Sequence, residues 1–247
     1  TRKESSAASD VYKRQYIMRV IILAAGMGTR LRPLTDDKPK SLVEVNGEPM
    51  IERQLRFLKE KGIEDIIIVT GYMAEKFEYL KEKYGVKLIH NDKYDVYNNV
   101  YTMYLVREYL EDAYVSEADV YMVKNYFDPE IKKSAYFGGY RENFVNEWVL
   151  GIGENNKLHS IELQSGSDYI LAGLSYWTKD SSKLIKEKLE EVIDAGHFDT
   201  MYWDEVVNLC LEDMDAEARI IGTNDWFEID SVSDLENAEA CLTTLSF

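Results

Sequence analysis

The chain has 247 residues, 45% of them hydrophobic, enough to bury a core of ordinary size in one domain built around a cleft. Its 45 Asp and Glu outnumber its 29 Lys and Arg, and the formal net charge of -16 disfavours non-specific binding to nucleic acid or to an anionic membrane surface. Cys210 and Cys241, with His90, His159 and His197, show none of the paired spacings of a structural zinc site or a disulfide framework. No apolar run approaches the roughly 18 residues of a membrane span, so a soluble, cytoplasmic protein is expected.

Residues 1–17 are small, polar and charged without a period, and read as a tail outside the fold; residues 18–247 then form one domain. Arg19-Val20-Ile21-Ile22-Leu23 is a continuous apolar run, the pattern of a strand buried on both faces. After a glycine-containing loop, Pro49 opens a helix whose Ile51, Leu55 and Leu58 share a face and which ends at Lys61-Gly62. Ile66 to Val69 is a second buried strand. Met73, Phe77, Leu80 and Tyr84 mark another helix closed by Gly85, and Val86 to Ile89 a third strand, giving the order β-α-β-α-β.

A helix is predicted from Val100 to Leu110, then a strand over Ala113 to Ser116 that runs into Glu117-Ala118-Asp119. From Ser134 to Trp177 aromatic, glycine-punctuated strand segments take over, at Ala135 to Phe137, Glu147 to Gly151, Lys157 to Leu163 and Tyr169 to Trp177. Helices follow over Asp180 to Ala195 and Trp203 to Leu211, and the last helix is predicted to start at a capping box of Ser233 and Glu236. The expected fold is α/β: a Rossmann-like, mostly parallel sheet flanked by helices, with a strand-rich acceptor-binding lobe.

The loop Leu23-Ala24-Ala25-Gly26-Met27-Gly28-Thr29-Arg30-Leu31 carries the first two glycines of a dinucleotide fingerprint, but Leu31 stands where the third belongs. The Lys-Ser/Thr ending of a Walker loop is missing as well. Instead Arg30, Arg32, Lys38 and Lys40 form an island of cations on an acidic chain. Glycines let backbone N–H groups approach phosphates, and Arg30 and Lys40 can oppose several negative charges, so the pattern points to a triphosphate rather than a dinucleotide.

The string from Leu23 to Thr35, with Pro39-Lys40-Ser41-Leu42-Val43 and Val45-Asn46-Gly47-Glu48-Pro49-Met50-Ile51, resembles the signature of the sugar-nucleotide and choline-phosphate nucleotidyltransferases. Further matches at Phe57 to Ile63, Tyr79 to Val86, Asn91 to Tyr94, Asn98-Asn99, Asn146-Glu147-Trp148, Tyr202-Trp203-Asp204 and Glu228 to Ser231 are most similar to the bacterial CTP:phosphocholine cytidylyltransferases. The resemblance implies a fold of the nucleotide-diphospho-sugar transferase type, transfer of CMP from CTP to phosphocholine, and Mg²⁺ as cofactor. It also implies Asp119 and Asp230 as metal ligands. Asp119 follows a predicted strand, where open α/β sheets bind their ligands, and Asp230 ends the run Trp226 to Ile229. The family commonly has an aspartate two residues before the first of these; here that position is Glu117.

A phosphate monoester is already an anion near neutral pH and can attack without a general base, which suits the lack of an evident His or Ser nucleophile. The chain must then supply alignment and charge, through Arg30, Lys40 and the N–H groups of Leu23, Ala24, Ala25, Gly26, Gly28 and Thr29. Asn91, Asn98 and Ala25 are candidates to contact the base, and Arg141 or Lys124 to meet the incoming phosphate. A trimethylammonium group is held by aromatic faces and a nearby carboxylate, so Trp148, Tyr202 and Trp203 with Glu147 or Asp204 are the cage candidates. Two other readings are a nucleotidyltransferase for a sugar 1-phosphate or aminophosphonate, and a non-catalytic nucleotide sensor.

Overall fold

The computed structural model describes residues 18–245; the tail expected over residues 1–17 lies outside the described residues. After β1 (Arg19–Ala24) the chain makes a small antiparallel pair, β2 (Glu44–Val45) and β3 (Glu48–Pro49). Next come α1 (Met50–Glu60), β4 (Asp65–Thr70), α2 (Tyr79–Tyr84), β5 (Lys87–His90), α3 (Asn99–Val106), β6 (Ala113–Glu117) and β7 (Val120–Met122). The second half holds β8 (Ser134–Ile152), β9 (Leu158–Trp177), α4 (Lys179–Ala195), α5 (Trp203–Cys210), β10 (Ala216–Ile221), β11 (Trp226–Glu228) and α6 (Val232–Leu245).

Seven strands form one sheet in the order β10-β8-β9-β6-β1-β4-β5, in which β1, β4, β5 and β6 are mutually parallel. The continuous apolar run of β1 is explained by cover on both faces. Val20 and Ile22 point to α1, packing with Ile51, Leu55 and Leu58, while Ile21 points to α3, packing with Val100, Met103 and Val106. Among the described residues no helix is long and apolar enough to cross a membrane.

Three readings of the sequence are corrected here. The helix expected from Met73 is two pieces: Met73 sits at φ 49°, a 3₁₀ turn covers Ala74–Phe77, and only then does α2 begin. Buried Phe77 and Leu80 are three residues apart, the spacing a tight 3₁₀ turn brings to one side. The four short strands expected between Ser134 and Trp177 are two long ones of 19 and 20 residues, and their pairing slips at several bulges. Asn143 and Asn146 at positive φ interrupt the alternation there, which makes one bent hairpin read as separate segments. The capping box of α6 is two residues earlier than predicted: Ser231 Oγ accepts from the Asp234 N–H, and the Asp234 carboxylate accepts from the Ser231 N–H. β10, an edge strand parallel to β8, has no counterpart in the sequence reading because charged Glu217 and Arg219 alternate with small alanines.

A third cluster joins the loop after β1 to the end of the chain. Leu31, Val43, Val45 and Met50 pack on Ile229 and on Ala238 and Leu242 of α6. Arg30 and Lys40 therefore rest on the same small core as Asp230.

Candidate active site

The loop after β1 begins where its strand pairing stops. Leu23 still accepts a hydrogen bond from the Ala118 N–H at 3.1 Å, which fixes the loop beside the turn between β6 and β7. Gly28 has φ 59°, and a Cβ built there would lie 2.7 Å from Lys40 Cβ, so glycine is required both for the turn and for the passage of Lys40. Thr35 Oγ1 donates to the Gly28 carbonyl at 2.8 Å and holds the turn closed. Gly26, Met27, Thr29 and Arg30 are exposed along the open side of the loop.

Two carboxylate turns meet these cations. Asp119 stands between β6 and β7, and Asp230 just after β11, which pairs with β7; the Ile229 N–H donates to the Asp119 carbonyl at 3.1 Å and ties the two turns. Buried Gln54 of α1 braces the first turn from below, donating to the carbonyls of Glu117 at 2.8 Å and Val120 at 2.9 Å and accepting from Ser116 Oγ at 2.8 Å. The Asp234 carboxylate braces the second by accepting from the Asp230 N–H at 3.2 Å.

Lys40 Nζ donates to Asp119 Oδ2 at 2.7 Å and also to Asp230 Oδ1, and Arg30 Nη2 donates to Asp230 Oδ2 at 2.7 Å. Burial opposes the Lys40 charge, but Asp119 and Asp230 outweigh it and hold the ammonium above its ordinary value. The four residues that the sequence assigns to catalysis thus form one linked group.

Glu228, missed by the sequence reading, completes it. One carboxylate oxygen from each of Asp119, Glu228 and Asp230 lies within 4.8 Å of the others. Burial, then Asp119 and Asp230, push the Glu228 carboxyl up to about 8. The available signal was the spacing Glu228-Ile229-Asp230, since residues two apart in extended chain share a side. Glu117 is not in this group; burial, Asp119 and Asp204 raise its carboxyl well above the usual range. An all-oxygen donor set is what a hard divalent cation takes, and Asp119 Oδ1 is buried with no hydrogen-bond partner among the described residues. The residues therefore fit Mg²⁺.

The aromatic candidates divide. Trp148 of β8 and Tyr202 at the start of α5 meet edge to face with ring centroids 5.8 Å apart, and Tyr202 is exposed. Trp203 turns inward, packed against Tyr136 and Trp177 and almost fully buried, so its ring is part of the core rather than of an open cage. Asp204 is buried too and accepts from Tyr136 Oη at 2.7 Å. Glu147 and Arg141 lie on the other side of the hairpin, lining a cavity of about 230 Å³ with Phe144, Trp226, Glu228 and Asp234. Burial and Asp230 raise the Glu147 carboxyl, partly offset by Arg30. Arg141 stacks over the Trp226 ring at 4.2 Å and donates to the Thr223 and Trp226 carbonyls, and Lys124 pairs with Asp225 at 2.9 Å.

The asparagines expected at the base are occupied elsewhere. Asn91 is fully buried, with its amide donating to Thr102 Oγ1 at 3.0 Å and its carbonyl accepting from the Lys93 N–H at 2.9 Å. Asn98 caps α3, accepting from the Asn99 N–H at 2.8 Å and donating to the Thr200 carbonyl at 3.2 Å. Ala25 stays at the loop, where its carbonyl accepts from the Tyr72 N–H at 3.1 Å.

The chain is similar to known proteins over most of its length. The nucleotidyl transferase family model matches residues 19–128. A choline-phosphate cytidylyltransferase of Streptococcus pneumoniae is 47% identical over 91% of this chain and 98% of its own length, and one of Haemophilus influenzae is 36% identical over 92% and 98%. A solved structure of CTP:phosphocholine cytidylyltransferase from Streptococcus pneumoniae superposes with a TM-score of 0.89 at 47% identity, covering 91% of this chain and 99% of that one.

Proposed function

Because the chain belongs to the nucleotidyltransferase family, in the branch that holds the choline-phosphate cytidylyltransferases, we propose that it transfers CMP from CTP to phosphocholine, giving CDP-choline and pyrophosphate. The observation that carries this reading is the convergence of Arg30 and Lys40, from the segment after β1, on Asp119 and Asp230 in the turns after β6 and β11.

In this reading the loop N–H groups and Arg30 receive the triphosphate of CTP, and Lys40 supplies a nearly buried ammonium beside it. Asp119 and Asp230, with Glu228, are the residues that would hold Mg²⁺, which when bound neutralises phosphate oxygens and favours departure of pyrophosphate. The phosphocholine phosphate attacks the α-phosphorus, forming the new P–O bond as the bond to pyrophosphate breaks. No residue needs to take a proton from the attacking oxygen. The chain contributes alignment and a fixed field of positive charge that needs no reorganisation during the reaction.

Trp148 and Tyr202 offer π-faces for the trimethylammonium group, and the buried Asp204 two residues beyond Tyr202 adds negative charge behind them. The test is a pyrophosphate-release screen that crosses the four nucleoside triphosphates with phosphocholine, phosphoethanolamine, 2-aminoethylphosphonate and glucose 1-phosphate, with and without Mg²⁺. Fastest release with CTP and phosphocholine is expected. A preference for the sugar phosphate or for an unmethylated amine would overturn the acceptor assignment while leaving the reaction class standing.

A further inference from the structure

Tyr202 projects from a stretch of chain with little regular structure of its own. Gly196 and His197 both have positive φ, and residues 194–197, 199 and 200 are exposed. Phe198 anchors the stretch on one side by packing against Tyr97 with centroids 4.8 Å apart, and Trp203 anchors the other in the core. Between these anchors the backbone is held from the first turn of α3. The Asn98 N–H donates to the Asp199 carbonyl at 3.1 Å, Asn98 Nδ2 to the Thr200 carbonyl at 3.2 Å, and the Trp203 N–H to Asn99 Oδ1 at 2.8 Å.

The choice of amides is informative. As helix cap, Asn98 uses its Oδ1 to accept from the Asn99 N–H, a task that Asp or Ser performs equally well. Its Nδ2 is then free to donate across to residue 200, which an ionised Asp, having acceptors only, cannot do. α3 is itself fixed to the nucleotide end of the sheet, because Thr102 accepts from Asn91, whose N–H donates to the Thr70 carbonyl at 2.7 Å at the end of β4.

We propose that Asn98 and Asn99 are positioning residues of the acceptor pocket, which clamp residues 199–203 so that Tyr202 stands edge to face on Trp148. The proposal rests on the reading of Trp148 and Tyr202 as the acceptor cage. Neither asparagine touches the substrate; each acts through the backbone that carries Tyr202.

Asn98→Asp keeps the cap and removes the cross-strap donor, Asn99→Asp keeps the acceptor for Trp203, and Asn99→Leu removes it. Michaelis constants for phosphocholine and for CTP are measured beside a thermal melt, with Tyr202→Leu as reference. Loss of one such hydrogen bond should raise the phosphocholine KM about fivefold in Asn98→Asp and Asn99→Leu, leave the CTP KM unchanged, and leave Asn99→Asp close to the parent. If Asn99→Leu does not fold, Asn98→Asp decides alone. A raised phosphocholine KM in Tyr202→Leu with parental values in the asparagine variants overturns the clamp. Equal loss for both substrates overturns it too, as general destabilisation. A parental phosphocholine KM in Tyr202→Leu overturns the cage reading and the clamp with it.

Discussion

Lys40 Nζ lies 2.7 Å from Asp119 Oδ2 although 79 positions separate the two residues. The ammonium occupies the ground between the carboxylates that a divalent cation would share, so Lys40 and such a cation would compete for Asp119 and Asp230 in the chain without substrate. Lys40→Ala should lower turnover by about a hundredfold, since a cation near the phosphates is lost. The same variant should bind Mg²⁺ at least as tightly as the parent, read as the rise in melting temperature on adding the ion. Unchanged kinetics would return Lys40 to a structural role, and weaker Mg²⁺ binding would contradict the competition.

The carboxylate trio predicts a graded response. Asp119→Ala and Asp230→Ala should each reduce turnover at least about a hundredfold with the fold intact, and chelation of Mg²⁺ should abolish activity reversibly. Glu228→Gln keeps the size and one acceptor oxygen. It should raise the Mg²⁺ concentration needed for half-maximal rate while a saturating concentration restores most of the turnover. A Glu228→Gln enzyme with the parental Mg²⁺ dependence would confine the metal to the two aspartates.

These residues mark where the sequence was legible and where it was not. Local patterns fixed β1, α1 and β4, and the loop with Arg30 and Lys40 was evident from glycines and charge at short range. Asp119 and Asp230 stood out through the resemblance, with their places after a strand and at the end of an apolar run in support. Glu228 was lost among 45 acids, although its spacing from Asp230 held the information. Gln54 could not be found from local pattern, because its task is to satisfy carbonyls 63 and 66 positions away. The bond from the Asn91 amide to Thr102 is hidden for the same reason, since it joins residues from two separate elements.

The aromatic pair separates a cage from a core. Trp148→Leu preserves apolar bulk but removes the π-face, and should weaken phosphocholine binding by about 1 to 2 kcal/mol, roughly tenfold, with CTP little changed. Trp203→Leu should behave differently. Its ring packs on Tyr136 and Trp177, so the variant should lose melting temperature and affect both substrates together. Parallel Michaelis constants and melts decide it, and a Trp148→Leu enzyme that is merely less stable would remove Trp148 from the pocket.

Asp204 gives a prediction in pH. Burial pushes its carboxyl up to about 6 from an ordinary 3.8, against the pull of the hydrogen bond from Tyr136. Between those values the folded chain keeps a proton that the unfolded chain has released. This group's contribution to stability therefore falls as pH rises from about 4 to 6 and is level above, a loss on the order of 3 kcal/mol. Asp204→Asn does not titrate, and its amide oxygen can still accept from Tyr136. It also relieves Glu117, whose carboxyl is raised by burial, Asp119 and then Asp204, which acts in the same direction. Other carboxylates titrate in both proteins, so the quantity to follow is the melting temperature of Asp204→Asn minus that of the parent. That difference should climb from pH 4 to pH 6, and any further rise above pH 6 belongs to Glu117. A flat difference from pH 4 to pH 6 would mean that folding leaves the Asp204 carboxyl near its ordinary 3.8, and that the negative charge behind Tyr202 is already present over most of that range.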